Sequence, residues 1–295
     1  MKILLTGNEG YVGSGLTRYL EQSHEVIGWN RSKDICTLNF SVLEKLEIDA
    51  IVNCAVVTDR ANQVFKLDSL SNLINVGGAL ALTRSLKGSN IPLIHISTKD
   101  VFGKTFSRDD IFEEKFAYRP KFRIDDDHPF RPESIYAKSK LMAEFILEDH
   151  PATVIIRLSS CYSDFDHPKG SWIVTIAKMI QSGKPIIVSH NGKQFRDLLH
   201  VNDLGKLIET ILSSHRFGIK LNAGGGHENT HSVLEVIKMY DPSANICETA
   251  DDRDYGFAFS NNRVKEVFKW QPKINFIDRV STILANIKIG RRAIE

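Results

Sequence analysis

Two residues four apart, Tyr136 and Lys140 in Ser134-Ile135-Tyr136-Ala137-Lys138-Ser139-Lys140, have the types and the spacing for proton transfer. Helical periodicity begins at this stretch, and an i, i+4 pair stacks on one helix face. A lysine ammonium beside a phenol favours the phenolate and draws the tyrosine down from its ordinary pKa of ~10, which makes the pair a proton donor and acceptor. The same spacing also arises by chance on solvated helix faces, so its weight depends on what accompanies it.

A second constellation lies at the N-terminus. Met1-Lys2-Ile3-Leu4-Leu5-Thr6-Gly7 reads as a short buried strand running into a turn, and Gly7, Gly10 and Gly13 recur at three-residue intervals before a helix with Val12, Leu16 and Leu20 on one face. Strand, glycine turn and helix N-terminus together make an anion site: glycines admit close backbone approach, and free N–H groups and the helix dipole face a pyrophosphate. Gly7, Gly10, Tyr11, Val12 and Gly13 are therefore candidate cofactor-binding residues. An ordinary strand-to-helix turn is the alternative, and the position directly after a strand and before a helix favours the dinucleotide site.

These residues need a scaffold, and the pattern supplies one. Strands are predicted over Lys2 to Leu5, Glu25 to Trp29, Ala50 to Cys54, Leu93 to Ser97 and Thr153 to Leu158, alternating with helices that include Leu73 to Leu86 and about Tyr136 to Leu147. That alternation is the mark of an α/β fold with a parallel sheet covered on both faces. From about Ser163 the elements shorten, which suggests a smaller lobe. The 295 residues can bury a substantial core, and a net charge of +2 gives no basic field of the kind nucleic acid or a membrane surface would require. Cys36, Cys54, Cys161 and Cys247 show no metal-ligand spacing and read as reduced thiols, two of which could still pair in space. No secretory or membrane-spanning run is present, and a cytoplasmic protein is expected.

With these motifs in place the chain resembles the extended short-chain dehydrogenase/reductase family, of the NAD-dependent epimerase/dehydratase type, over nearly its whole length. The family's signature is Thr-Gly-x-x-Gly-x-x-Gly with a downstream Tyr-x-x-x-Lys. Ile94-His95-Ile96-Ser97-Thr98-Lys99-Asp100-Val101-Phe102-Gly103 looks like its active-site strand end, a rule that selects Thr98. Ile155 to Ser160, Arg196 to Asp203, Asn222 to Gly226 and Val264 to Pro272 are similar to later landmarks, in the same order. The resemblance implies a Rossmann-type doubly wound sheet over residues 1–163, with 200–213 packing back on it, and a substrate-binding lobe over 164–295. It also implies that Lys140 binds the nicotinamide ribose, that Thr98 holds the substrate oxygen, and that the helices around Asn75 to Leu86 and Tyr136 to Leu147 form a homodimer interface. Asn75 either serves the active site or packs within its helix.

Cofactor choice is read at the end of the second strand. Trp29-Asn30-Arg31-Ser32-Lys33 carries cations and no carboxylate until Asp34, which suits the 2′-phosphate of NADP(H). NAD(H) with Arg31 lying over the adenine is the alternative. Asp34 and Ile35 would flank the adenine, with Ala55 and Val56 under the adenosine side. Arg196 and Arg253 match positions used by the family's nucleotide-sugar enzymes against a diphosphate, although Arg196 could instead pair with Asp197 or Asp203. Ser160 replaces the family's asparagine at a further diphosphate contact.

The expected activity is reduction of a keto group on a nucleotide sugar. Alternatives are an epimerase that retains NAD and a non-catalytic NADP-binding sensor or scaffold, the last disfavoured by an intact Thr98, Tyr136 and Lys140. Lys99-Asp100 stands where the family's 4,6-dehydratases resemble one another in carrying Asp-Glu, which speaks against dehydration. Within the family, His95 to Thr98, Arg31 to Ile35 and Ser159 look like the dTDP-4-dehydrorhamnose reductase branch, and the second half looks more like the 4-epimerases. The segment 104–131 reads either as a solvated surface excursion or as a lid. Asp125-Asp126-Asp127 lacks partners for a metal site.

Overall fold

The computed structural model describes residues 1–30, 32–58, 72–168, 170–249 and 254–292, with side chains through Ile287. In chain order the first half runs β1 (Lys2–Thr6), α1 (Tyr11–Leu20), β2 (Glu25–Trp29), α2 (Phe40–Leu46), β3 (Ala50–Asn53), a π-turn over Asn72–Val76, α3 (Gly77–Ser85) and β4 (Leu93–Thr98). A hairpin, β5 (Ile111–Glu114) and β6 (Ala117–Pro120), precedes α4 (Ile135–Leu147), β7 (Thr153–Leu158) and β8 (Ser160–Tyr162). The second half comprises α5 (Trp172–Gln181), β9 (Ile186–Val188), β10 (Phe195–His200), α6 (Val201–Ser214), β11 (Ile219–Ala223), β12 (Thr230–Ser232), α7 (Val233–Tyr240), β13 (Ile246–Glu248), β14 (Gly256–Phe257), α8 (Asn262–Phe268) and α9 (Val280–Arg292).

Six strands form one parallel sheet in the order β11-β7-β4-β3-β1-β2. Its strands are buried on both faces, so they read as continuous apolar runs such as Ile3-Leu4-Leu5 and Val154-Ile155-Ile156. Leu16 and Leu20 of α1 and Leu204, Leu207, Ile208 and Ile211 of α6 cover one face. Leu43, Leu82, Leu86, Ala143 and Leu147, from α2, α3 and α4 and their ends, cover the other. This is the doubly wound α/β fold the strand and helix alternation predicts. The sixth strand, β11, was not among the predicted strands: Ile219-Lys220-Leu221-Asn222-Ala223 alternates apolar and polar residues because it lies at the sheet edge, where Lys220 reaches Glu148 at 2.8 Å.

The second lobe gathers α5, α7 and α9 around Tyr162, Phe276 and Ile237. The segment 104–131 docks on this lobe through the β5–β6 hairpin. Tyr118 N donates to Lys193 O at 2.7 Å, Arg119 grips Glu235 and Glu114, and Phe106 packs edge-on against Phe195 with ring centroids 5.0 Å apart. The hairpin thus has its own apolar cluster with Phe102, Ile124, Phe257 and Phe259, which the mixed charge and aromatic content of its sequence conceals.

Candidate active site

The glycine turn sits between the C-terminal ends of β1, β2 and β3. Gly7 has φ +66° and donates its N–H to Trp29 O at 2.8 Å, and a Cβ there would lie 2.7 Å from Ala55 N. A Cβ on Gly13 would stand 2.1 Å from Gly7 O, so the turn folds backbone on backbone. Gly10 caps α1 without any side-chain bond, and the first turn carries no acidic residue, which leaves the helix N-terminus to an anion. Val12 packs its side chain toward the core, so it meets a ligand through its backbone. These residues fit a dinucleotide pyrophosphate.

Tyr11 does more than follow the turn. Its Oη accepts from Ser163 N at 2.8 Å and donates to Ser171 Oγ at 3.2 Å, while its ring meets Phe165 and His167. Ser163, Phe165, His167 and Ser171 are thereby tied to the first turn of α1. Burial raises the Tyr11 phenol, which stays protonated and able to donate.

At the adenosine end the structure brings in a residue the sequence reading missed. Asn30 Nδ2 donates to Glu9 Oε1 at 2.5 Å, and Asn30 Oδ1 accepts from Ser32 N and Ser32 Oγ. A carboxylate therefore stands at the end of β2, supplied by the glycine turn rather than by β2 itself; only the Glu9 position inside Thr6-Gly7-Asn8-Glu9-Gly10 could have signalled it. Arg31 lies outside the described residues. Asp34 accepts from Cys36 N at 2.9 Å to cap a 3-10 turn, and Ile35 is buried beneath α3, where it meets the surface of Gly78. Ala55 lies against the turn with its N–H shared between Thr6 Oγ1 and Asn53 Oδ1, and Val56 is exposed.

The proton-transfer residues converge at the C-terminal end of β4 and the first turns of α4. Ser134 caps α4 by accepting from Ala137 N at 3.1 Å, and Tyr136 follows in the first turn, 6 % exposed. Thr98 ends β4, buried, with Oγ1 accepting from Asp100 N at 3.2 Å, so its own hydroxyl proton stays free to donate. Lys140 is 2 % exposed. Its Nζ donates to Ile96 O at 2.6 Å and lies 2.9 Å from His95 Nε2. Burial pulls the Lys140 amine down to about 8, opposed by the Glu144 carboxylate one turn on. Beneath them, Arg157 lies in fork geometry on Glu144 (Nη2 to Oε2 2.8 Å, Nε to Oε2 3.0 Å), with Ser97 Oγ also donating to that carboxylate. The sequence quoted Arg157 only as a landmark and left Glu144 unread, although Glu144 continues the i, i+4 series from Tyr136 and Lys140.

The proposed substrate contacts divide. Asn75 commits its amide to Val57 and Ser139: Oδ1 accepts from Val57 N at 2.9 Å and Nδ2 donates to Val57 O and Ser139 Oγ. These bonds tie the loop after β3 to α4. Ser160 opens β8, half-buried and in register with Leu198. Arg196 pairs with Asp254 at 3.3 Å and with neither Asp197 nor Asp203, which hold backbone amides instead. Arg253 lies outside the described residues. Of the three consecutive aspartates, Asp125 accepts from Asp127 N, Asp126 accepts from Asn222 N, and Asp126 and Asp127 both lie against Arg263; among the described residues no His, Cys, Asp and Glu group could hold a metal. No described helix is long and apolar enough to cross a membrane.

A glycine turn at the C-terminal ends of a doubly wound parallel sheet, with a buried Thr, Tyr and Lys on β4 and α4, is the arrangement of a Rossmann-type fold. Residues 3–224 match the NAD dependent epimerase/dehydratase family, and the chain belongs to it. It is 28% identical to CDP-paratose 2-epimerase of Salmonella typhi, covering 95% of this chain and 97% of that one. Among solved structures it superposes on dTDP-glucose 4,6-dehydratase of Bacillus anthracis in complex with NAD (TM-score 0.81, 21% identity, 99% and 98% of the two chains covered). UDP-glucuronic acid 4-epimerase of Bacillus cereus in complex with UDP-glucuronic acid and NAD gives a TM-score of 0.80 at 20% identity, with 98% and 99% covered. Dehydratases stand beside epimerases here, so likeness gives no ground for setting dehydration aside.

Proposed function

We propose that this protein is an NAD(H)-dependent enzyme that inverts a stereocentre on the sugar of a nucleotide sugar by transient oxidation. The observation that carries the reading is the burial of Thr98 at the end of β4 and of Tyr136 and Lys140 on the first turns of α4, with Lys140 bonded to Ile96 of β4. NAD, when bound, supplies the acceptor and later the donor of a hydride. Tyr136 takes the proton of the sugar hydroxyl and gives one back; Thr98 donates to the reacting oxygen; Lys140, as ammonium, holds the nicotinamide ribose and favours the Tyr136 phenolate. Arg196, near the start of β10, which pairs with β8, β12 and β14, is the residue we assign to the diphosphate.

Three features support this choice. The Tyr11 clamp on Ser163 and Ser171 would enclose a bound dinucleotide, which suits an enzyme that regenerates its cofactor in each turnover. Glu9 places a carboxylate where a 2′-phosphate would lie, which disfavours the NADP(H) expected from the Arg31 to Lys33 cations and favours ribose hydroxyls. Lys99, whose Nζ is 3.0 Å from Asp100 Oδ1, puts a cation directly after Thr98, where water elimination would want a carboxylic acid. Replacing Glu9 with Gln should weaken NAD binding about tenfold and strengthen NADP binding, a charge-assisted hydrogen bond being worth about 1.5–3 kcal/mol and the repulsion of a 2′-phosphate being removed. Equal losses for both dinucleotides by titration calorimetry would remove Glu9 from the ribose.

Turnover itself is tested by incubating the protein with UDP-, dTDP- and CDP-sugars without added dinucleotide. An inverted sugar, formed with no net change in absorbance at the reduced-nicotinamide band, is the expected product. Reduction of a keto sugar is the second reading, favoured by the His95 to Thr98 strand end; it would show instead as stoichiometric consumption of NADH or NADPH.

The same reading includes a homodimer. Leu73, Leu80, Met142 and Phe145 are exposed on the neighbouring α3 and α4 region, Phe145 at 55 %. Four large apolar side chains on adjacent elements suit burial against a second copy. Phe145→Glu should convert a dimer to a monomer in sedimentation; a wild-type protein already sedimenting at 33.3 kDa would refute the interface.

A further inference from the structure

A chain of buried polar groups runs from the first strand to the proposed catalytic lysine, and each link fixes the next. Ala55 N–H is shared between Thr6 Oγ1 at 3.2 Å and Asn53 Oδ1 at 3.3 Å, and Thr6 Oγ1 donates to the same Asn53 oxygen at 2.6 Å. With its oxygen so engaged, Asn53 presents Nδ2 to His95 Nδ1 at 2.9 Å. An amide N–H can only donate, so Nδ1 accepts, and the single proton of the neutral imidazole sits on Nε2. Nε2 in turn faces Lys140 Nζ at 2.9 Å. An ammonium there would set N–H against N–H. A neutral amine accepts from Nε2–H and still donates to Ile96 O.

We propose that His95 is a positioning residue that holds Lys140 as a neutral amine in the cofactor-free protein under mildly alkaline conditions, and that dinucleotide binding there moves Lys140 off this partner and charges it by uptake of one proton from solvent. The inference rests on the reading of Lys140 as the residue that holds the nicotinamide ribose. The step balances simply: the amine lone pair takes a proton from water or buffer, and no other bond changes. His95 is buried, and burial keeps its imidazole well below the ordinary range, with a Lys140 cation lowering it further once formed, so it stays neutral throughout. The other groups facing the pair do not supply the charge. Cys54, from the end of β3, is a thiol pushed up to about 12 by burial, and Glu144 on α4 is already matched by Arg157 from β7. Tyr136, one turn before Lys140, is the group whose ionisation the new ammonium then favours. Binding and activation are linked in this way in mildly alkaline solution, where most of the cation that lowers the phenol is created when the dinucleotide arrives.

Proton uptake on binding NAD is read by titration calorimetry of the dinucleotide-free protein in buffers of different ionisation enthalpy, with NAD as the probe because none of its groups titrates above neutrality. Uptake should grow from pH 7 toward one proton per site by about pH 9, since a solvated or ribose-bound lysine returns toward ~10.4. His95→Gln offers an amide oxygen to the ammonium, and uptake should fall at least threefold. Asn53→Ala frees the imidazole to carry its proton on Nδ1 and accept from the ammonium; it makes the same prediction and serves if the first variant melts early. Binding without uptake between pH 7 and 9.5, or uptake undiminished in a folded variant, overturns the role of His95. Absence of any NAD binding would instead count against the proposed function.

Discussion

Tyr136→Phe should lower turnover by about 10²–10⁴-fold while changing NAD affinity by less than about threefold. In the proposed reaction the phenol exchanges the proton of the sugar hydroxyl: it sits in the first turn of α4, 6 % exposed, with Thr98 at the end of β4 and Lys140 one turn further along the helix. Phenylalanine keeps the ring and its packing and removes only the hydroxyl. Thr98 would still donate to the substrate oxygen and Lys140 would still engage the ribose, so binding survives and the loss falls on kcat. A parallel loss of NAD binding would show that the tyrosine shapes the crevice; turnover within threefold of wild type would remove it from the chemistry.

The largest expected effect on stability belongs to Glu144→Ala. Glu144 and Arg157 are 1 % exposed each, joined in fork geometry, and the guanidinium lies between the rings of Phe102 and Phe130 at 5.3 and 4.8 Å. Removing one partner of a buried ion pair leaves the other charge without compensation, a cost of about 3–5 kcal/mol. Arg157 Nη1 would keep only Asp126 O, at 3.1 Å, and Ser97 Oγ would lose its acceptor. The effect should therefore reach activity as well, because Ser97 precedes Thr98 and Glu144 follows Lys140 on the same helix face. Urea unfolding measures it. A loss below about 1 kcal/mol would mean that water or a rearranged carboxylate replaces the pair.

The difference between what the chain announces and what it hides is physical. β1, β3 and β7 are legible because strands buried on both faces read as apolar runs, and the glycine turn is legible because only glycine tolerates the contacts of Gly7 and Gly13. Tyr136 and Lys140 are legible from their i, i+4 spacing. Glu9 was not, because it meets Asn30 across two loops, 21 residues apart, and a rule that looks for a carboxylate at the end of β2 does not examine the turn after β1. The His95 to Lys140 contact spans 45 residues and has no local pattern at all. The partner of Arg196 followed the pairing of β10 with β14, a register that brings Asp254 beside it and that the short Gly256–Phe257 strand does not advertise. The docked hairpin within 104–131 was hidden for the same reason: its acceptors, such as Lys193 O and Glu235, come from the other lobe.

The most direct test is to purify the protein without added cofactor, denature it, and identify what is released by mass spectrometry. Near-stoichiometric NAD(H) is the result expected of an enzyme that encloses its dinucleotide under the Tyr11 clamp and reads ribose hydroxyls through Glu9. Recovery of NADP(H), or an empty protein that binds NADPH more tightly than NADH, would contradict both assignments and favour a reductase that exchanges its cofactor at every turnover.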